Sequence, residues 1–342
     1  MNDGTIVRMV TSLLSSDDLR QARTLIEASG LSFEPPYDDL VGIFQNGRLV
    51  AVGARSGRVL KMLAVAPEFQ GGSLLDEVVT VLVGRGFQEG LDSFFVFTSP
   101  AQATSFESLN FHLLVSSGKT ALLEYGDGLK RWLARHRRYI APGANGAIVA
   151  NCNPFTLGHR YLIEAASRQV EQLFLFLVRE ERSLFPFEYR YRMVRDGISD
   201  LGNVILLDTS SYAVSSVTFP TYFLKDGDPD GEIQMELDLL LFAKQIAPFF
   251  HISTRFVGSE PISRTTASYN AAMHRILPAS GIAVSELPRA QAAGGPISAS
   301  RVRELLTRGE FDQLGHLVPE STRQFLLSSE GRRVWDSKGE AA

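Results

Sequence analysis

The chain has 342 residues, 44% of them hydrophobic, a formal net charge of -4 and a pI near 5.9. That length allows two domains with separate cores, and the mild acidity argues against a dedicated nucleic-acid binder, which needs a basic face. Cys152 is the only cysteine, so no intramolecular disulfide can form. No run approaches bilayer-spanning length and no basic-then-apolar segment opens the chain, so the expectation is a cytoplasmic protein without a membrane partner.

In chain order, Ser16-Asp17-Asp18 supplies oxygens that cap a helix start, after which Leu19, Ala22, Leu25 and Ile26 share one helical face. Asn46-Gly47 between the apolar runs 41–44 and 49–52 predicts a two-residue hairpin. A strand over Val59–Val65, a loop over 67–73, a helix over 74–86 and a strand over Phe94–Thr98 follow, with residues 105–111 close behind. This order, with Ala64-Val65-Ala66-Pro67-Glu68-Phe69-Gln70-Gly71-Gly72 at its centre, resembles the acyl-CoA N-acetyltransferase (GNAT) domain. The resemblance implies a mixed α/β fold over residues 1–140. In that family the loop after the central strand holds the coenzyme's pyrophosphate through a Gln/Arg-x-x-Gly-x-Gly/Ala pattern. Counting from Gln70, Ser73 and Leu75 stand where the two small residues are expected, and no general base for amine acetylation is evident. A unit kept for packing or docking is therefore expected.

Arg135-His136-Arg137-Arg138 reads as the solvated C-terminal end of a helix, where positive charge offsets the dipole. Residues 139–146, with Pro142 and two glycines, read as a linker. From there strand and helix patterns alternate over residues 145–336, as in a doubly wound parallel sheet. Strands are predicted at 146–150, 173–178, 204–207 and 254–258; the second is apolar on both faces, which suits a central position. After the first comes Asn151-Cys152-Asn153-Pro154-Phe155-Thr156-Leu157-Gly158-His159, then Leu162, Ile163, Ala166 and Val170 at helical spacing. Strand, tight loop and helix start make a phosphate site. Gly158 lets the backbone pass close to a bound group at the first turn, where N–H groups point outward. His159 can donate to a phosphate oxygen or carry charge opposite it, and Thr156 offers a hydroxyl. Cys152 reads as a small packing residue at the strand end.

Far downstream, Ile297-Ser298-Ala299-Ser300-Arg301-Val302-Arg303 opens another helix with two hydroxyls, after the loop Gly294-Gly295-Pro296. Between the two stretches, Gly258 ends a strand and Glu260 follows it. Glu260 could accept from a ribose or adenine edge, or cap the next helix, and the polar cluster 264–270 is expected at the same rim.

Asn153, Thr156, Gly158 and His159 fall on the signature of the nucleotidyltransferase superfamily, Gly-x-Phe-(Asp/Asn)-Pro-x-(His/Thr)-x-Gly-His, with Ala150 and Cys152 in place of its opening Gly and Phe. The second stretch matches the superfamily's Ile-Ser-x-Ser-x-Val-Arg at every defined position. Together with the GNAT-like first unit, the stretches Ser183-Leu184-Phe185-Pro186-Phe187-Glu188, Thr218-Phe219-Pro220-Thr221-Tyr222-Phe223-Leu224-Lys225-Asp226 and Phe256-Val257-Gly258-Ser259-Glu260-Pro261 resemble the citrate lyase ligase family. The resemblance implies an ATP-dependent acid–thiol ligase. Acetate would become acetyl-adenylate, and its acetyl group would pass to the CoA-derived thiol arm of the citrate lyase acyl carrier protein. It further implies that His159 and Thr156 serve the α-phosphate, that Asn153, Gly158, Gly258, Glu260, Ser298, Ser300 and Arg303 bind ATP, and that Arg182 and Lys225 contribute more weakly. Mg²⁺ would bridge phosphate oxygens without a direct protein ligand. The first unit's groove could then take the CoA-like arm. Two other readings stay open: an adenylyltransferase that joins AMP to a phosphorylated small molecule, and a nucleotide-binding regulatory protein.

Overall fold

A computed structural model describes residues 10–140, 142–179, 183–215, 231–260, 263–292 and 295–339. The chain divides into two compact units, Met1–Arg131 and Trp132–Ala342.

The first unit holds a seven-stranded mixed sheet. Its elements are β1 (Val10–Ser12), α1 (Ser16–Ala28), β2 (Asp39–Gln45), β3 (Arg48–Ser56), β4 (Val59–Val65), α2 (Leu74–Gln88), β5 (Phe94–Thr98), α3 (Ala103–Glu107), β6 (Phe111–Ser116) and β7 (Ala121–Tyr125). The strand order is β1-β2-β3-β4-β5-β7-β6. Ser15 and Asp18 form a capping box at the start of α1. Asn46 and Gly47 both take positive φ (53° and 76°), as a two-residue hairpin twisted with its strands requires. β3 is buried on both faces because helices cover both. Leu49, Val52 and Ala54 meet Ala22, Leu25 and Ile26 of α1, while Val50 and Ala51 share a core with Val78, Val79, Leu82 and Val83 of α2. β4 and β5 are the parallel pair, in register only at Val59↔Phe95 and Leu60↔Val96. This is the mixed α/β fold expected of the first unit. At the loop ahead of α2, Ser73 Oγ donates to Glu77 Oε1 (2.7 Å) and Leu75 packs against the α2-side core.

Helix α4 (Gly128–His136) leads into the second unit. His136 is buried there, a departure from the fully solvated basic run. Its ring lies 5.3 Å from Trp132 and its Nδ1 is 2.9 Å from the Trp132 carbonyl, while Trp132 also meets Phe176, Tyr212 and Phe250. An aromatic cluster, not solvent, holds that end of the helix.

The second unit carries β8 (Asn145–Ala150), α5 (Leu157–Ser167), β9 (Gln172–Leu177), α6 (Phe187–Gly197), β10 (Val204–Asp208), α7 (Gly231–Leu241), α8 (Ala247–Phe249), β11 (Ile252–Gly258), α9 (Arg264–Ile276), β12 (Ala283–Leu287), β13 (Gln291–Ala292), β14 (Gly295–Pro296), α10 (Ala299–Arg308), α11 (Glu320–Leu327) and α12 (Ser329–Gly339). β10-β9-β8-β11-β12 form a parallel sheet in that order. The chain steps outward from β8 on one side and returns through β11 on the other. The gap between their C-terminal ends is therefore the topological switch point, where a doubly wound sheet opens a crevice. Ile148, Phe155, Ile163, Leu175, Val194, Phe256, Val302 and Leu306 pack one continuous core beneath it.

One buried cation ties the strand ends together. Arg190 of α6 is fully buried and donates to the carbonyls of Asn151 (2.8 Å), Val178 (2.8 Å) and Phe185 (2.9 Å). These acceptors lie just past β8, just past β9 and ahead of α6, where strand bonding has run out. Arg190→Ala would leave buried carbonyls unpaired at about 1–3 kcal/mol each. Urea denaturation is expected to show a loss of about 3 kcal/mol or more; an unchanged midpoint would contradict this role.

Candidate active site

The first motif leaves the sheet at Ala150 and turns sharply. Cys152 takes a positive φ of 50° and buries its side chain in the core, where desolvation pushes the thiol up to about 12. A thiol so protonated is a packing group and no nucleophile. Asn153 turns its Oδ1 to the Phe185 N–H (3.0 Å), and Asn151 pairs with Ser183 through Nδ2 and Oγ (3.2 Å). The loop is thus built against residues 183–185.

Thr156 is the N-cap of α5, and its buried Oγ1 accepts from the His159 backbone N–H (3.3 Å). His159 returns the bond, its Nδ1 accepting from the Thr156 backbone N–H at 3.1 Å. Because a backbone N–H can only donate, Nδ1 carries no proton and the neutral ring holds its hydrogen on Nε2. Burial, with the field of Arg289 added, holds the imidazole pKa down at about 4. In the free protein the ring is therefore neutral near neutral pH, with the N–H on Nε2.

The second motif lies against the first. A Cβ on Gly158 would meet the Ile297 carbonyl oxygen at 3.2 Å and the Ile297 side chain at 3.5 Å. Glycine lets α5 begin this close to the segment leading into α10 without a tight contact to the Ile297 backbone. Ser298 is the N-cap of α10, accepting from the Arg301 N–H (3.2 Å). Arg303, mostly buried, donates from Nη1 to the Asn153 carbonyl (2.5 Å) and from Nη2 to Ser300 Oγ (3.0 Å). Leu157 N–H donates to Leu317 carbonyl (2.8 Å), fastening the first turn of α5 to the segment beyond α10. Two helix N-termini, the hydroxyls of Thr156, Ser298 and Ser300, an imidazole N–H and the Arg303 guanidinium thus belong to one locality, a donor set that suits a polyanion.

Gly258 ends β11, where its carbonyl accepts from Asn270 Nδ2 (3.0 Å). Of the polar cluster 264–270, Asn270 and Tyr269 turn inward, Tyr269 OH donating to the buried Asp238 (2.5 Å), so the cluster does not act as one rim. Glu260 accepts from the Ser263 N–H (3.0 Å) and from both terminal nitrogens of Arg289 (3.1 Å each). Arg182, Lys225, Pro261, Gly294 and the run 218–226 lie outside the described residues. Among the described residues no group of three or more His, Cys, Asp or Glu could hold a metal ion, and no helix is long and apolar enough to cross a membrane. Arg190 and Arg289 were not legible from motif spacing, since neither belongs to a motif.

The depressed His159 pKa sets a pH dependence. As pH falls from about 6.5 to about 4, the unfolded chain takes up a proton at this position and the native state does not, so stability drops across that window. His159→Gln is expected to flatten this component in denaturation curves at pH 7 and pH 4.5. Equal pH slopes in both proteins would contradict it.

Comparison with known proteins bears on the whole chain. The model of the citrate lyase ligase C-terminal domain matches residues 145–326. The citrate (pro-3S)-lyase ligase of Klebsiella pneumoniae is 37% identical over 331 residues, 94% of this chain and 97% of its own. That of Escherichia coli is 33% identical over 309 residues, 88% of each. A phosphopantetheine adenylyltransferase of Streptococcus gordonii is 27% identical over 121 residues, 34% of this chain and 73% of its own. Among solved structures, the ribosomal-protein-S18-alanine N-acetyltransferase of Escherichia coli is 18% identical, covering 34% of this chain and 90% of that one, with a TM-score of 0.28. With a family model over more than half its length and relatives aligned almost end to end, the chain belongs to the citrate lyase ligase family.

Proposed function

We propose that the protein activates acetate with ATP and passes the acetyl group to the thiol of the CoA-derived arm on the citrate lyase acyl carrier protein, releasing AMP and pyrophosphate. The observation that carries this reading is the meeting of the two phosphate motifs, held by Arg303 on the Asn153 carbonyl and by the Gly158–Ile297 approach. The relatives aligned along the chain are ligases whose names specify citrate (pro-3S)-lyase, which supports the choice of target.

An acetate oxygen attacks the α-phosphorus while pyrophosphate leaves. The thiol then attacks the acetyl carbon, and AMP departs with that oxygen. The protein's contribution is positioning and charge neutralisation. His159, its proton on Nε2, donates to an α-phosphate oxygen, and the Thr156 bonds fix the ring for that purpose. Ser298, Ser300 and Arg303 hold the β and γ phosphates at the start of α10. Gly158 and Gly258 keep the backbone free of side chains where the nucleotide passes, with Asn153 and Glu260 bracing the two sides. Mg²⁺ carried in with the nucleotide would supply further charge neutralisation for the leaving pyrophosphate, since among the described residues no group of three or more His, Cys, Asp or Glu could hold it directly. A cytoplasmic location, where ATP is supplied, goes with this reading.

Exchange of labelled pyrophosphate into ATP should require acetate, and His159→Ala should slow it by about 10²–10³-fold, the usual effect of removing a transition-state donor. Exchange that needs no carboxylic acid but a phosphorylated acceptor would instead favour the adenylyltransferase reading. Near-normal exchange in His159→Ala would remove the histidine's role.

A further inference from the structure

Arg289 belongs to neither phosphate motif, yet three parts of the site converge on it. Gly258 and Leu287 are paired at the ends of β11 and β12, and the Ser259 N–H continues that ladder to the Leu287 carbonyl (2.9 Å). Glu260 and Arg289 therefore stand two residues beyond neighbouring strand ends. There the carboxylate grips the guanidinium with two bonds of 3.1 Å. The Glu260 side chain is only 9% exposed and that of Arg289 25% exposed, so the pair is largely withdrawn from water but still open on one side.

The β13–β14 hairpin fixes the second approach. Gln291 pairs with Pro296, and the Ile297 N–H donates to the Ala290 carbonyl (3.1 Å). That bond leaves Arg289 one residue beyond Ala290 and Ser298, the N-cap of α10, one residue beyond Ile297. Ile297, one step earlier, is the residue that Gly158 packs against. The third approach is electrostatic: the Arg289 charge acts on the His159 ring and helps keep it neutral.

We propose that Arg289 binds the polyphosphate between His159 and the start of α10, and that Glu260 is a positioning residue which aims the guanidinium there without contacting the nucleotide. This deepens the ligase reading and rests on it for the identity of the polyphosphate as ATP. A planar guanidinium held by one carboxylate on one edge still has N–H groups for phosphate oxygens on another. A polyanion beside His159 would also offset the Arg289 charge and favour Nε2–H donation.

The test is calorimetric binding of pyrophosphate and of AMP, each with Mg²⁺, to the full chain and to R289A, R289K and E260Q, with circular dichroism to verify folding. Pyrophosphate affinity should fall at least tenfold in R289A and several-fold in R289K and E260Q, while AMP affinity changes little. In folded R289A, the His159 ring observed by NMR should titrate at higher pH than in the parent. Equal pyrophosphate affinity in R289A and the parent would overturn the assignment. Loss of AMP affinity in E260Q with pyrophosphate binding intact would show that Glu260 reads the nucleoside, and would overturn its positioning role. Pyrophosphate binding that depends on Arg289 in a protein lacking acetate-dependent exchange would support this inference while refuting the ligase reading.

Discussion

The guanidinium of Arg303 on the carbonyl of Asn153 joins segments 150 residues apart, and the active-site proposal depends on that junction. Neither motif is sufficient alone. The first offers a helix start and an imidazole, the second a helix start and two hydroxyls, and only their meeting concentrates enough donors for a chain of phosphates. Desolvation disfavours the charge on Arg303 and pulls its pKa below the ordinary arginine value, so its burial has to be offset by hydrogen bonds. Arg190 meets the same requirement with three carbonyls at the strand ends. Arg289 meets it with Glu260. Three arginines, each held differently, thus lie near the strand ends of this sheet.

Much of this was legible in the sequence for physical reasons. Asn46-Gly47 specified a turn because both residues tolerate positive φ. The run 173–178 specified a central strand because it is apolar on both faces, and Thr156 lay where a helix needs a cap. What stayed hidden has equally concrete causes. β7 is a buried five-residue run without alternation, and β12 is a short edge strand with Ser285 and Glu286 inside it, so neither carries a period that separates it from loop. The roles of Arg190 and Arg289 come from partners distant in sequence, which spacing cannot reveal. His136 looked like one more surface charge among arginines, yet its ring belongs to the Trp132 aromatic cluster.

The glycine and cysteine of the first motif show how a pattern can be kept by packing. Gly158 packs close to Ile297, whose carbonyl oxygen lies 3.2 Å from where a Cβ would stand, so packing alone favours glycine there. Cys152 stands where the superfamily signature has phenylalanine, and it fills that place as an inert core residue. In the first unit the corresponding economy is absent. Ser73 and Glu77 bond to each other at the start of α2.

The central claim is that a carboxylate oxygen attacks the α-phosphorus within the crevice between β8 and β11. It is tested most directly by running the complete reaction with acetate labelled in both oxygens with ¹⁸O and weighing the AMP formed. One ¹⁸O atom is expected in each AMP, because the attacking oxygen stays on phosphorus when the thiol takes the acetyl group. AMP formed at the normal rate without label would contradict it.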